Sequence, residues 1–179
     1  MDSKISEILS DEHKKILEVI DVLDKECLAV ENGKEIEEDF FKKVIDFIRN
    51  YADKFHHAKE EDILFKELNK ENVEMNCNPT EQMLYEHEQG RDFVKGMEKR
   101  LNENDKIKLI RNARAYSELL KEHIHKEDNI LYPMADEVLD QKIKRLILEK
   151  FKKIGTERKK DKEKYLAVVN ELNKQNKLS

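Results

Sequence analysis

The sequence has little of what interrupts or ends helices. Its 179 residues contain only four glycines and two prolines, the two residue types that most weaken a helix interior. No apolar run approaches the roughly 20 residues of a membrane-spanning helix, and the N-terminal stretch MDSKISEILSDEH lacks the basic and apolar regions of a signal peptide. We therefore expect a helical, cytoplasmic protein with no membrane partner.

Cysteine is also scarce, and charge of either sign is not concentrated anywhere. Cys27 and Cys77 form no CxxC pattern, and two lone cysteines in a cytoplasmic chain are most often reduced, so we assign them no role. The 40 acidic and 35 basic residues are mixed along the chain and give a formal net charge of -5. Because no basic stripe stands out, we expect no nucleic-acid partner.

Apolar residues recur every three or four positions, which is the period of amphipathic helices. Four segments carry this pattern, at about residues 3–30, 37–69, 80–102 and 105–138. They predict an all-α, up-down-up-down four-helix bundle as a domain over 1–138. Residues 139–179 predict an additional C-terminal helix, which either packs on the bundle or makes a dimer contact, so monomer and homodimer both stay open.

Two clusters of histidines and acids interrupt the apolar pattern, HHAKEEDILF at 56–65 and HIHKEDNILYP at 123–133. In the first cluster two His-x-x-x-Glu pairs have the same spacing, so only the phase can distinguish them. At 100° per residue, His56 and Glu60 lie beside the apolar stripe of their helix. His57 falls on the solvated side, where we expect a surface residue.

The second cluster gives an independent check of this phase argument. His123 and Glu127 lie within the apolar stripe of the fourth helix, whereas His125 points away from it. A gap-free alignment of the clusters pairs His56 with His123 and Glu60 with Glu127. Both arguments select the same residues.

The first and third helices each add one histidine in phase with their apolar faces. The predicted inward-facing set is His13, His56, Glu60, His87, His123 and Glu127. Bare carboxylates in an apolar core cost several kcal/mol, and two divalent metal ions bridged by carboxylates would satisfy the whole set. We expect both glutamates to bridge, the histidines of helices one and two to bind one ion, and those of helices three and four to bind the other.

Imidazole and carboxylate ligands without a thiolate favour iron, with manganese or zinc as alternatives. We therefore predict two iron ions per chain, with open coordination positions for dioxygen, a peroxide or nitric oxide. Nearby residues leave alternatives open. Glu61 and Asp128 are predicted either as solvated acids or as contacts to ligand imidazoles. Arg91 either pairs with a bridging carboxylate or extends into solvent. Tyr116 is either a core residue or reaches an open coordination position.

The four motifs SDEHKKI, HHAKEEDILF, YEHEQGRDFV and HIHKEDNILYP together resemble the hemerythrin-like, or HHE cation-binding, family over about residues 5–138. The resemblance implies a four-helix bundle around a non-haem di-iron centre, with the same six residues as ligands. Oxygen-carrying hemerythrins have a second histidine at the position of Arg91, and an aspartate one position after that of Glu127. The site is thus poorer in nitrogen, which argues against simple reversible oxygen carriage.

We predict a di-iron protein that binds or reacts with dioxygen, peroxide or nitric oxide in sensing, scavenging or oxidative defence, as a binding protein more than a dedicated enzyme. The alternative is a metal-handling or metal-sensing module whose occupancy orders the bundle and controls a partner protein. A metal-free structural bundle is the third reading. Ferritin-like sites use Glu-x-x-His, a spacing that would require the outward-facing His125.

Overall fold

Helices joined by short connections make up residues 4–75 and 77–178, the part of the chain that the computed structural model describes. The α-helices are α1 (Ile5–Glu31), α2 (Glu38–Phe47), α3 (Phe65–Leu68), α4 (Thr80–Asn102), α5 (Lys106–Lys126), α6 (Tyr132–Val138), α7 (Gln141–Glu157) and α8 (Lys159–Leu178). Three further segments are π-helical, π1 (Ile48–His57), π2 (Glu60–Leu64) and π3 (Glu127–Leu131). No strand occurs in these ranges, so the all-α prediction is confirmed.

Four long helices form the bundle, because the π segments join shorter helices end to end. The second long helix runs from α2 through π1 and π2 into α3, and the fourth runs from α5 through π3 into α6. With α1 and α4 they make the predicted up-down-up-down bundle. The C-terminal segment forms two helices, α7 and α8, which meet at Arg158.

Helix ends follow the local sequence. After α1 the backbone of Gly33 takes φ +104°, a conformation that glycine adopts without steric cost. The Gly33 amide then donates to Val30 (3.2 Å) and the Lys34 amide to Ala29 (3.0 Å), which is the Schellman arrangement that ends a helix. Pro133 lies in the first turn of α6, directly after π3, so its missing N–H falls at the junction between the π-helical and α-helical turns of the long fourth helix.

Two apolar cores are separated by a polar layer. The larger core contains Ile16, Phe41, Val94 and Leu109, whereas the smaller one contains residues such as Leu9. α8 adds three residues to the larger core, Tyr165, Val169 and Leu172. The boundary between bundle and extension stays a prediction. None of the helices in the described ranges has the length and apolar character needed to cross a membrane.

Candidate metal centre

The polar layer consists of one histidine from each long helix and a glutamate from two of them. Each of these side chains is at most 2% exposed: His13, His56, Glu60, His87, His123 and Glu127. The structure therefore brings together all six residues selected from the sequence. It does so because each lies in phase with the apolar residues that form the two cores.

The four imidazoles form two pairs. The Nε2 atoms of His13 and His56 lie 2.9 Å apart, and so do those of His87 and His123. Each pair joins two neighbouring helices, the first and second or the third and fourth. This is the pairing expected for two separate ions.

Glu60 lies between the pairs and is held by a tyrosine. Its Oε2 atom is 3.6 Å from Nε2 of both His56 and His87. The Tyr132 hydroxyl donates to Oε1 of Glu60 and lies 3.3 Å from Nε2 of His13. Sequence analysis did not identify Tyr132. The available signal was its hydroxyl, which the aligned Phe65 of the first cluster lacks.

Glu127 occupies the matching position on the other side. Its Oε2 atom is 3.3 Å from Nε2 of His13 and 3.2 Å from Nε2 of His123. The remaining oxygens, Oε1 of Glu127 and Oε2 of Glu60, are buried without a hydrogen-bond partner. Unpaired buried carboxylate oxygens are costly, and these point to a cation as the partner.

A second carboxylate stands behind each imidazole, on its Nδ1 atom. The four contacts are Asp128 on His13 (2.9 Å), Glu12 on His56 (3.0 Å), Glu61 on His87 (2.7 Å) and Glu86 on His123 (2.8 Å). A carboxylate accepts, so each Nδ1 carries a hydrogen and each Nε2 faces inward. The reading of Glu61 and Asp128 as solvated acids was wrong, and the alternative, contact with the imidazoles, is correct.

The electrostatics of the layer also suit cations. Burial lowers the pKa of His13, but hydrogen bonds to Asp128 and Glu127 outweigh it and raise that pKa to about 9. Burial and the neighbouring His13 hold the pKa of His56 well below its usual range. Burial and the charge of Glu127 raise the pKa of Glu60. One imidazole of this pair thus keeps a free lone pair, and the donor set fits divalent ions that bind nitrogen and oxygen.

His57 contradicts its sequence prediction, because it is buried and only 7% exposed. The prediction assumed 100° per residue, but π1 has wider turns with i→i+5 hydrogen bonds. This places His57 above Ala52, five residues earlier, which is fully buried. Burial and the neighbouring His87 lower the pKa of His57 to about 3, so its imidazole is neutral.

Arg91 pairs with neither bridging carboxylate, contrary to one of its two predicted roles. Its guanidinium donates to Oδ1 of Asp53 through Nε and Nη2 (2.9 and 2.7 Å) and to Oε1 of Glu61 (2.6 Å). It does not extend freely into solvent either, since it holds the carboxylate behind His87. His125 is exposed, as predicted.

A cavity of about 400 Å³ opens beside the third and fourth helices. His57, His87 and His123 lie in its wall, together with Gly90 and the ring of Tyr116. Tyr116 is 3% exposed and belongs to the larger apolar core, which agrees with the core-residue prediction. The cavity gives a small molecule a route to one imidazole pair.

The two halves of the bundle repeat the same arrangement. Glu-His at 12–13 in α1 recurs at 86–87 in α4, and His-x-x-Lys-Glu-acid at 56–61 recurs at 123–128. In each half the lysine donates to the glutamate that stands behind an imidazole. The sequence alignment found the second repeat but not the first, because a two-residue match carries little signal alone.

Comparison with known proteins agrees with this geometry. The family model for the hemerythrin HHE cation-binding domain matches residues 4–135. No curated protein and no solved structure gives a significant match to the chain. With four inward-facing imidazoles and two buried glutamates inside the matched range, the chain belongs to the hemerythrin HHE cation-binding domain family.

Proposed function

We propose that the protein is a non-haem di-iron protein that binds or reacts with a small ligand such as dioxygen, a peroxide or nitric oxide. The metal ligands would be His13, His56, Glu60, His87, His123 and Glu127. The observation that carries the proposal is the two Nε2–Nε2 distances of 2.9 Å, with a glutamate oxygen within 3.6 Å of Nε2 of each of the four imidazoles. Family membership supports cation binding, and a nitrogen and oxygen donor set without thiolate favours iron.

The residues around these six would orient them and exclude water. The carboxylates on Nδ1 fix each imidazole with its Nε2 lone pair inward. Tyr132 holds Glu60 through its hydroxyl. Bound iron would supply redox chemistry and open coordination positions for an exogenous ligand. The cavity of about 400 Å³ beside His87 and His123 supports access for such a ligand.

The first test is metal content per chain on protein from iron-replete cells, purified without an affinity metal. We expect about two irons per chain, and a change in the absorption spectrum when the anaerobic ferrous protein meets nitric oxide, dioxygen or peroxide. Glu60→Ala and His123→Ala should lose the metal while their circular dichroism stays helical. His125→Ala is the matched control, because this histidine is exposed. Stoichiometric iron in both alanine variants would contradict the ligand assignment.

A metal-handling or metal-sensing module is the second candidate. It is favoured by the polar layer itself, because a bundle with unpaired buried carboxylate oxygens is less stable without its cations. In this case occupancy would order the bundle and control a partner protein. The candidates differ in how strongly metal changes the bundle, so unfolding with and without a chelator separates them.

A further inference from the structure

We propose that a groove between the bundle and the C-terminal helices binds a free fatty carboxylate, an anion with an apolar acyl chain. The groove has a volume of about 1130 Å³, and its wall is formed by α1, the second long helix, α6, α7 and α8. None of the six proposed metal ligands lies in this wall. The groove is therefore a second site, and the inference goes beyond the proposed di-iron function.

Much of the groove is built outside the part of the chain that the family model covers. That model ends at residue 135, whereas most of the wall residues lie in α7 and α8. Those of α7 run from Gln141 to Thr156, a length of about 22 Å at 1.5 Å per residue. A groove of this length suits an extended chain better than a compact molecule.

The wall has an excess of positive charge, although the whole chain has a net charge of -5. Three carboxylates line the groove, those of Glu12, Asp136 and Glu149. The cations are six: Lys4, Lys59, Lys144, Arg145, Lys152 and Lys162. Among the described side chains, Lys59 is the one of these six that forms a salt bridge with a carboxylate. A cleft lined mainly by one sign of charge concentrates ions of the other sign, so this wall favours an anion.

Two ammonium groups flank one aromatic ring at the buried end of the groove. The Nζ atom of Lys59 lies 3.8 Å from the ring centre of Phe55, and that of Lys162 lies 5.8 Å from the same ring. Lys59 is compensated by Glu12, whereas half-buried Lys162 pairs with no carboxylate among the described side chains. A ligand carboxylate would pair with Lys162 through a charge-assisted hydrogen bond.

Apolar side chains line the groove on both the α1 side and the α7 side. Ile5 and Phe151 are buried, but Ile8 and Leu148 are only partly covered by the protein. An acyl chain that packs against these two would remove their surface from water. Each methylene of the chain that leaves water strengthens binding about fourfold. A cation without a carboxylate partner beside apolar walls thus matches an acyl-chain carboxylate.

Isothermal titration calorimetry with laurate, below its micelle concentration, tests the proposal on protein purified from iron-replete cells. We expect one laurate per chain. Decanoate should bind about 15-fold more weakly, because its chain is two methylenes shorter. Dodecanol has the chain length of laurate but no charge, and it should bind about 10-fold more weakly than laurate. Acetate should show no binding.

Two pairs of variants assign the wall residues. Lys162→Met should weaken laurate binding about 10-fold, because it removes the cation, whereas Lys160→Met changes an exposed lysine of α8 outside the groove. Leu148→Ser should also weaken binding about 10-fold, because it removes apolar contact. Its control is Leu146→Ser, since Leu146 is 42% exposed on α7 and lies outside the wall. Both controls should bind laurate like the wild type.

Absence of laurate binding would overturn the proposal, and so would equal laurate affinities in the wild type, Lys162→Met and Leu148→Ser. Equal binding of acetate and laurate would mean an anion site without an acyl chain, and would also overturn it. Binding of phosphatidylglycerol vesicles without binding of laurate would identify a membrane-facing surface instead. Metal content is measured separately, so none of these results decides the di-iron proposal.

Discussion

Lys59 and Glu12 are charged side chains that are buried together and partner each other. Lys59 is 2% exposed and donates to Glu12, whose other oxygen lies 3.0 Å from Nδ1 of His56. Burial lowers the pKa of Lys59, whereas Glu12 raises it in part. The lysine therefore keeps a buried carboxylate compensated. Lys126 does the same for Glu86, but its side chain is 35% exposed.

This difference predicts unequal effects of the same substitution in the two halves. Lys59→Met should lower the free energy of unfolding by about 3 kcal/mol, because breaking a buried ion pair leaves a buried charge. Lys126→Met should cost about 1 kcal/mol or less, because solvent screens the more exposed pair. Urea unfolding of the metal-free proteins measures both.

Lys126→Met is also the matched control, since it disturbs the equivalent carboxylate, Glu86, which lies 2.8 Å from Nδ1 of His123, against 3.0 Å between Glu12 and His56. Equal losses of the free energy of unfolding in the two variants would mean that the burial of Lys59 does not strengthen its ion pair with Glu12. The comparison uses metal-free protein, so that loss of metal does not contribute to either value.

At the scale of elements, the π-helical segments coincide with the polar layer. π1 contains His56 and His57, π2 begins at Glu60, and π3 begins at Glu127. π-helical turns are rare and frequently mark functional sites. Here the wider turn of π1 turns two consecutive histidines inward, which an α-helix with one apolar stripe would not do.

The C-terminal helix α8 is the element whose packing is most directly testable. Val169 is 1% exposed and lies in the larger core, whereas Ala167 is exposed on the same helix. Val169→Asp should lower the free energy of unfolding by about 3 kcal/mol, because it buries an unpaired carboxylate. Ala167→Asp should cost only about 0.5 kcal/mol, through helix propensity.

Thermal or urea unfolding of the two variants measures the difference. Similar small losses would indicate that α8 does not pack on the bundle in solution. Both variants introduce the same charge into the same helix, so only the surroundings of the side chain distinguish them.

At the scale of the whole molecule, the stability of the bundle depends on the layer between its two cores. Metal that binds only the folded state stabilises it by about 2.7 kcal/mol when its free concentration is 100 times the dissociation constant. For a domain of this size the melting temperature should then fall by about 5–10 °C in excess chelator. Calorimetry with and without chelator measures this shift.

Glu127→Gln supplies the control for this experiment. If the proposed ligand set is right, the variant binds metal weakly, and chelator should hardly change its melting temperature. An unchanged melting temperature of the wild-type protein in chelator would instead support a structural bundle without metal. A large shift accompanied by loss of protease resistance would favour the metal-handling candidate.

The sequence by itself determined the bundle and the inward-facing set. Scarce glycine and proline permit long helices, and the apolar period fixes which face of each helix is buried. His13, His87 and His123 lie in regular helix, so a constant angle per residue predicted their direction correctly. The same calculation placed His56 on the inward face of its helix, and the alignment of the two histidine clusters selected the same residue.

Only the tertiary structure decided the rest of the centre. A constant angle failed for His57, because the turns of π1 are wider than those of an α-helix. The carboxylates behind the imidazoles could not be predicted, since all four contact a histidine of a different long helix. Glu12 precedes His13 but contacts His56, and Glu86 precedes His87 but contacts His123. Glu61 contacts His87 and Asp128 contacts His13. Periodicity specifies which way a side chain points along its own helix, whereas its partner depends on how helices pack against one another.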